Sequence, residues 1–218
     1  MKTPLAGMRM QSELAMRQSD RQEIQRSLEQ LSKSSQSATR MINQLLALAR
    51  AENPSAQSMP FDIVDIRALA RDTVQEWVQA AMARRIDLGF EAEECVPTVL
   101  GNPTMLREML NNLIDNALRY SRPDGHVTIR VRQPAVADDE VCAVIEVEDD
   151  GPGIPVAERV HVFDRFYRIL GSETEGSGLG LAIVKEIATH HSADIVIAEP
   201  PRGKGTLFRI SFPLDRVH

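Results

Sequence analysis

The chain runs to 218 residues with 25 Lys+Arg against 31 Asp+Glu, a formal charge of −6, and 43% of it is hydrophobic. Such a chain can bury the core of one domain or of two small ones, which excludes a disordered polymer, and its acidic balance excludes a general phosphate-backbone binder, so no nucleic-acid partner is expected. No stretch reaches the roughly 18 consecutive apolar residues of a membrane-spanning helix, and Cys95 and Cys142 lack the CxxC spacing of a zinc or redox site, so a soluble protein of a reducing cytoplasm is expected.

The first 53 residues carry no aromatic side chain and no glycine after Gly7, in a helix-favouring mixture of Leu, Met, Ala, Gln, Glu and Arg. Thr3-Pro4 is a cap followed by a first-turn proline. Leu5, Met8, Ser12 and Ala15 recur at steps of three and four, and Ile24, Leu28, Leu31, Ser35, Ala38, Ile42, Leu45 and Ala49 extend the same heptad seam. The polar stretch around Ser19 and Asp20 reads as the turn between two helices. Because two helices bury little alone, the expected form is a homodimer in which two hairpins pair as a four-helix bundle; the alternative is a hairpin packed on its own C-terminal domain. Asn53-Pro54 ends the second helix. The expected organisation is a hairpin at 1–53, a linker at 54–60 and a second domain at 61–218.

Beyond the linker the pattern predicts a strand at 61–66, an amphipathic helix from Ala68 to Arg84, a strand from Ile86 to Phe90 and a helix from Thr104 to Tyr120. HVTIRVRQ and EVCAVIEVED then read as a hairpin, Leu179 to His190 as a helix, and ADIVIAE with TLFRISF as a closing strand pair. The expected fold class is α+β: a helical hairpin followed by an α/β sandwich, one mixed sheet covered by helices.

On the helix at 104–120, Leu106, Leu110, Leu113, Ile114 and Ala117 share one side, while Glu108, Asn112, Asp115, Asn116 and Arg119 share the other. A solvated surface is expected for Glu108 and Asp115. Asn112 and Asn116 are poor interior helix formers one turn apart, and neutral oxygens so placed can ligate Mg2+ that is shared with phosphates. In DDGPGIP, Asp149 ends a strand with an acceptor for an exocyclic amine, and Gly151 and Gly153 let backbone approach a flat ligand, although the string also suits an ordinary turn. Gly176, Gly178 and Gly180 lead straight into a helix whose free amides suit an anion, in a spacing that matches neither the GxxxxGK[ST] loop nor GxGxxG. Between these, VFDRFYRILGSETEG pairs Phe163 and Phe166 with Arg165 and Arg168 and has the composition of a lid. GKGTLF offers a tight turn before Thr206, or a plain hairpin turn.

Taken in order, NNLIDNALRY, DDGPGIP, FDRFYR, GSGLGL and GKGT resemble the N, G1, F, G2 and G3 boxes of the histidine-kinase branch of the GHKL ATPases. TPLAGMRMQSELA and ATRMINQLLALARAE resemble the two helices of the dimerisation and phosphoacceptor domain of sensor histidine kinases, in wording most similar to the tricarboxylate-transport type. The resemblance implies ATP and Mg2+ as cofactors, with Asn116 as metal ligand and Asn112 its helper, and Arg119 and Tyr120 flanking the nucleotide. It also implies Asp149 and Thr206 at the adenine, Gly151 and Gly153 shaping its pocket, the backbone of Gly176, Gly178, Leu179, Gly180 and Leu181 around the phosphates, and Arg168 reaching them from the lid.

The family's phosphoacceptor histidine lies in His-Glu-x-x-Thr-Pro-Leu, of which Met1 to Leu5 supply only the tail; the first histidine present is His126. The resemblance therefore implies the cytoplasmic portion of a bacterial inner-membrane sensor, joined to the membrane only through segments that precede Met1. ATP binding without self-phosphorylation and a response-regulator receiver domain as partner are expected, with a phosphatase role for Thr3. Two rivals remain: another GHKL-type ATPase, which would need a further domain after His218, and a dimerising scaffold that keeps a pocket without turnover.

Overall fold

A computed structural model describes residues 60–133, 142–169, 176–201 and 203–213, together with 22–26, 28, 29, 31, 32, 35 and 42. The chain forms two compact units, residues 1–46 and 47–218. In the first unit the described residues are helical, and Leu28 and Ile42 of the heptad seam are exposed. The first helix, the turn at Ser19 and Asp20 and the expected boundary at residue 53 lie outside the described residues.

The second unit opens with β1 (Asp62–Val64) and α1 (Ile66–Ala83). The expected strand at 61–66 is cut short because the Asp65 carboxylate accepts the Ala68 N–H and caps a helix that starts at Ile66. There follow β2 (Asp87–Ala92), β3 (Val99–Gly101), α2 (Pro103–Tyr120), β4 (His126–Arg132), β5 (Cys142–Asp149), α3 (Gly180–His190), β6 (Asp194–Ala198) and β7 (Thr206–Pro213). β1 and β3 form a separate antiparallel pair; the main sheet is ordered β2-β4-β5-β7-β6, with β2 parallel to β4 and every other pair antiparallel. This is the mixed sheet that the alternating patterns predicted. β3 was not foreseen.

Period-two alternation gives the sheet two chemically distinct faces. Val127, Ile129 and Val131 of β4, Ile145 and Val147 of β5, and Phe208, Ile210 and Phe212 of β7 are buried in one core with Leu106, Leu110, Leu113 and Ile114 of α2 and Ile183, Val184 and Ile187 of α3. The alternate positions carry a charge ladder. Arg130 pairs with Glu91 at 2.8 Å and with Glu148, and Arg209 pairs with Glu146 at 2.8 Å. The long arginine stems thereby cover two carboxylates on the central strand, Glu146 and Glu148, that burial alone would expel. By the same alternation the last inward position of β5 is Asp149, whose register partner is Thr206, the first residue of β7. A carboxylate thus closes the end of an apolar row.

Candidate functional site

Four segments meet at the end of the sheet where Asp149 sits: the C-terminal end of α2, residues 149–153, residues 166–178 as far as they are described, and the turn at 203–206. Asp149 is only 3% exposed. Its Oδ1 accepts the Gly151 N–H at 2.9 Å and the Thr206 N–H at 3.2 Å, and the Thr206 hydroxyl also bonds to it. Burial pushes the Asp149 carboxyl up from 3.8 to about 6, against the pull of the Gly151 and Thr206 N–H groups. The two protonation states therefore differ by roughly 3 kcal/mol relative to a solvated aspartate. A group raised in the folded state contributes stability below its unfolded value and loses it as pH rises through about 6, so the domain carries an unfavourable buried charge at neutral pH.

Glycines make the close approaches here. A Cβ on Gly151 would lie 2.8 Å from the Tyr120 carbonyl oxygen, and one on Gly205 would lie 1.8 Å from the Asp149 carbonyl oxygen, with φ at +121°. Gly205 escaped the sequence reading because GKGT also reads as an ordinary turn; its signal was the glycine immediately before Thr206. Gly178, at φ +72°, lies directly under Phe166, whose N–H bonds to the Gly178 carbonyl at 2.8 Å. That contact ties the FDRFYR segment to the glycine run. The segment is more regular than expected, with 3-10 turns at Val156–Glu158 and His161–Phe163; Phe163 packs on the core while Phe166 is exposed. Tyr167 donates its hydroxyl to Glu158, and Arg168 is exposed.

α3 begins at Gly180 with no side-chain cap, so its first amides and the positive end of its dipole can meet an anion. The Leu179 N–H is already donated to Ser177 Oγ at 3.1 Å and the Leu179 side chain is buried, which narrows the cradle to the amides from Gly180 and Leu181 onward. Gly176 lies against Arg119, since a Cβ there would come 2.9 Å from Arg119 Nη1.

On α2 the polar stripe is less solvated than expected. Asn112 is 7% exposed, and its amide nitrogen donates to the Glu108 carbonyl at 2.8 Å and to Glu108 Oε1 at 3.2 Å, so its oxygen is the atom suited to a cation. Asn116 is half-buried and has no side-chain partner among the described residues. Two neutral amide oxygens fit a cation that keeps most of its water and shares phosphate oxygens. Asp115, expected in solvent, is 14% exposed and holds Arg119 Nη2 at 2.5 Å. Spacing of i,i+4 was the available signal for that pair. Thr3 lies outside the described residues.

A buried acceptor at a glycine-lined turn, an uncapped helix N-terminus and paired asparagines are groups that can meet a base, an anion and a cation. The family described as Histidine kinase-, DNA gyrase B-, and HSP90-like ATPase matches residues 101–216, and the His Kinase A (phospho-acceptor) domain matches residues 1–54. The chain belongs to the histidine kinase-like ATPases. It carries both a His Kinase A domain and the ATPase domain. It is 35% identical to Sensor protein kinase PmrB of Pseudomonas aeruginosa, over 97% of this chain and 43% of that protein. It is similar to the solved structure of the mycobacterial sensor histidine kinase MprB (TM-score 0.58, 32% identity, 70% of this chain and 97% of that one). It also shares the fold of full-length ShkA in complex with AMPPNP (TM-score 0.70, 24% identity, 89% of this chain and 39% of that one). The chain spans less than half the length of the curated relatives it matches. Among the described residues no helix of this histidine kinase-like ATPase is long and apolar enough to cross a membrane.

Proposed function

We propose that the site binds ATP with Mg2+ and that the chain is the kinase core of a two-component sensor, which moves the γ-phosphoryl group of ATP to a histidine and leaves ADP. The observation that carries the reading is the Asp149 carboxylate, buried at the end of β5 and held by Gly151 and Thr206. It would accept the adenine amino group, with Gly151 and Gly153 against the ring plane and Tyr120 at its edge. Asn116 and Asn112 would hold Mg2+, and the backbone amides of Gly180 and Leu181 would hold phosphates, with Gly176 and Gly178 shaping the loop that leads to them and Arg119 and Arg168 as cations beside them. Bound Mg2+ would neutralise charge on the β- and γ-phosphates, so the chain's own task is alignment of donor and acceptor.

The acceptor would be the histidine of the family's His-Glu-x-x-Thr-Pro-Leu pattern, of which Met1 to Leu5 supply only the tail, and the phosphoryl group would pass on to an aspartate of a response-regulator receiver domain. The His Kinase A match at 1–54 and the exposed Leu28 and Ile42 support pairing of two hairpins in a homodimer, with the division at 1–53, 54–60 and 61–218. Thr3 would serve in dephosphorylation of the regulator. The relatives' names as sensors support an inner-membrane parent of bacterial origin.

Incubation with γ-labelled ATP is expected to leave this chain unlabelled and to label a separately supplied hairpin bearing His-Glu-x-x-Thr-Pro-Leu, with an acid-labile, alkali-stable product. Labelling of this chain itself would overturn the assignment of the acceptor to the histidine of that pattern, and a hairpin left unlabelled would overturn the kinase reading. Adenine needs the ionised acceptor, so ATP affinity falls as Asp149 protonates. With a carboxyl near 6, affinity at pH 5 is expected to be about tenfold weaker than at pH 7. ITP, which presents a carbonyl instead of the amino group, is expected to lack that loss, and equal pH profiles for the two nucleotides would count against Asp149 as the adenine acceptor.

A further inference from the structure

His191 follows the last turn of α3, and its ring is buried away from the site just described. Its Nδ1 lies 2.7 Å from the Ile187 carbonyl oxygen, and its Nε2 lies 3.0 Å from the backbone N of Asn102. A carbonyl oxygen only accepts and an amide N–H only donates, so the ring is neutral, a donor at Nδ1 and an acceptor at Nε2. Phe61 stacks on it with centroids 4.9 Å apart, and Asn102 Nδ2 donates to the Pro60 carbonyl at 3.3 Å. A Cβ on Gly101 would come within 2.8 Å of the ring. One imidazole thus fastens three parts: the segment at Pro60 and Phe61 where the expected linker meets the second domain, the capped start of α2, and the end of α3. α2 carries Asn112 and Asn116, and α3 begins at the phosphate cradle.

We propose that neutral His191 is a positioning residue for the nucleotide site, and that its protonation releases α3 and the Pro60–Phe61 segment from α2. The consequence for ATP rests on the function proposed above; the joint itself does not. A second ring proton would face the Asn102 N–H, donor against donor, and the lost acceptor would leave a buried amide unpaired. Burial lowers the His191 imidazole, the hydrogen bond to Ile187 works against this, and neighbouring His190, with ring centroids 5.7 Å apart, adds to the lowering. Of the other elements around the ring, β1 brings the exposed Asp62, the loop after α3 leads to the exposed Asp194, and β3 with the first turn of α2 brings no ionisable side chain. A lowered histidine contributes stability above its unfolded value of 6.5 and loses it as pH falls through the lower folded value. Asp149 acts with the opposite sign, so the two are separable.

The test is the melting temperature of the nucleotide-free full chain between pH 7.5 and 5, for the unmodified protein, His191→Gln and His190→Gln, with NMR titration of the His191 ring and hydrogen exchange at the Asn102 amide. Glutamine can accept the Asn102 N–H but cannot charge. The acid-dependent fall in Tm is expected to be several degrees in the unmodified protein and in His190→Gln and absent in His191→Gln, with exchange at Asn102 accelerating over the same range. The proposal is overturned if His191→Gln keeps the same slope, if His190→Gln removes it, or if the His191 ring titrates at or above 6.5. The ring titration decides even if His191→Gln does not fold. Failure of ATP binding would leave these apo measurements unaffected.

Discussion

Gly205→Ala is expected to lower the stability of the second unit by about 4 kcal/mol or more, an effect at the far end of what single substitutions do. The added Cβ would stand 1.8 Å from the Asp149 carbonyl oxygen, and φ at +121° lies outside what an L side chain tolerates. Relief requires moving the turn away from β5, and Asp149 pairs with Thr206 in the β5–β7 register, so the adenine end of the site moves with it. Gly203→Ala supplies the control. Gly203 also has a positive φ, +83°, but nothing lies within 4 Å of its Cβ position, and the expected cost there is about 1 kcal/mol. Urea unfolding of both variants checks the difference; equal midpoints would mean that the turn at 203–206 does not abut Asp149.

Asp149→Asn is expected to separate stability from binding. At pH 7.5 the carboxylate is ionised in a site that raises its carboxyl to about 6, and removing that charge is expected to stabilise the nucleotide-free domain by roughly 1–3 kcal/mol. The same change removes the acceptor for adenine and abolishes the rise in Tm produced by ATP analogue and Mg2+, which for the unmodified protein is worth about 3 kcal/mol at a hundredfold excess over Kd. Asn116→Ala behaves differently. Its side chain is half-buried and unpartnered among the described residues, so apo stability changes by no more than about 0.5 kcal/mol, while the Mg2+-dependent part of the nucleotide effect disappears. Thermal melting of both variants, with and without Mg2+, reads these out.

The sheet was legible because its strands obey alternation: apart from Asp149 and Thr206 at the site, every second residue of β4, β5 and β7 is apolar and buried, so the expected strands lie near the observed bounds. The three-residue β3 was not legible, because Val99, Leu100 and Gly101 carry no period of their own and the strand exists only by pairing with β1. At Ile66 the apolar neighbours favour a strand; the deciding contact, Asp65 to the Ala68 N–H, is a cap that competes with strand propensity. The polar stripe of α2 was correctly located, but helical spacing gives direction and not depth. Asn112 is buried and Asp115 half-buried, one nitrogen-bonded to Glu108 and the other paired with Arg119. The glycine boxes were legible as strings, whereas the reason for Gly205 is a tertiary approach to a carbonyl that is 56 positions away in the sequence (205 − 149). Nor could spacing reveal that Ser177 already occupies the Leu179 amide.

Calorimetric titration of the unmodified chain with AMPPNP at pH 7.5, in Mg2+ and again in EDTA, bears on the nucleotide site most directly. One nucleotide per chain, bound more weakly in EDTA and not measurably by Asp149→Asn, is the expected result. Absence of saturable binding, or equal affinity in the unmodified chain and Asp149→Asn, would contradict an adenine site built on Asp149.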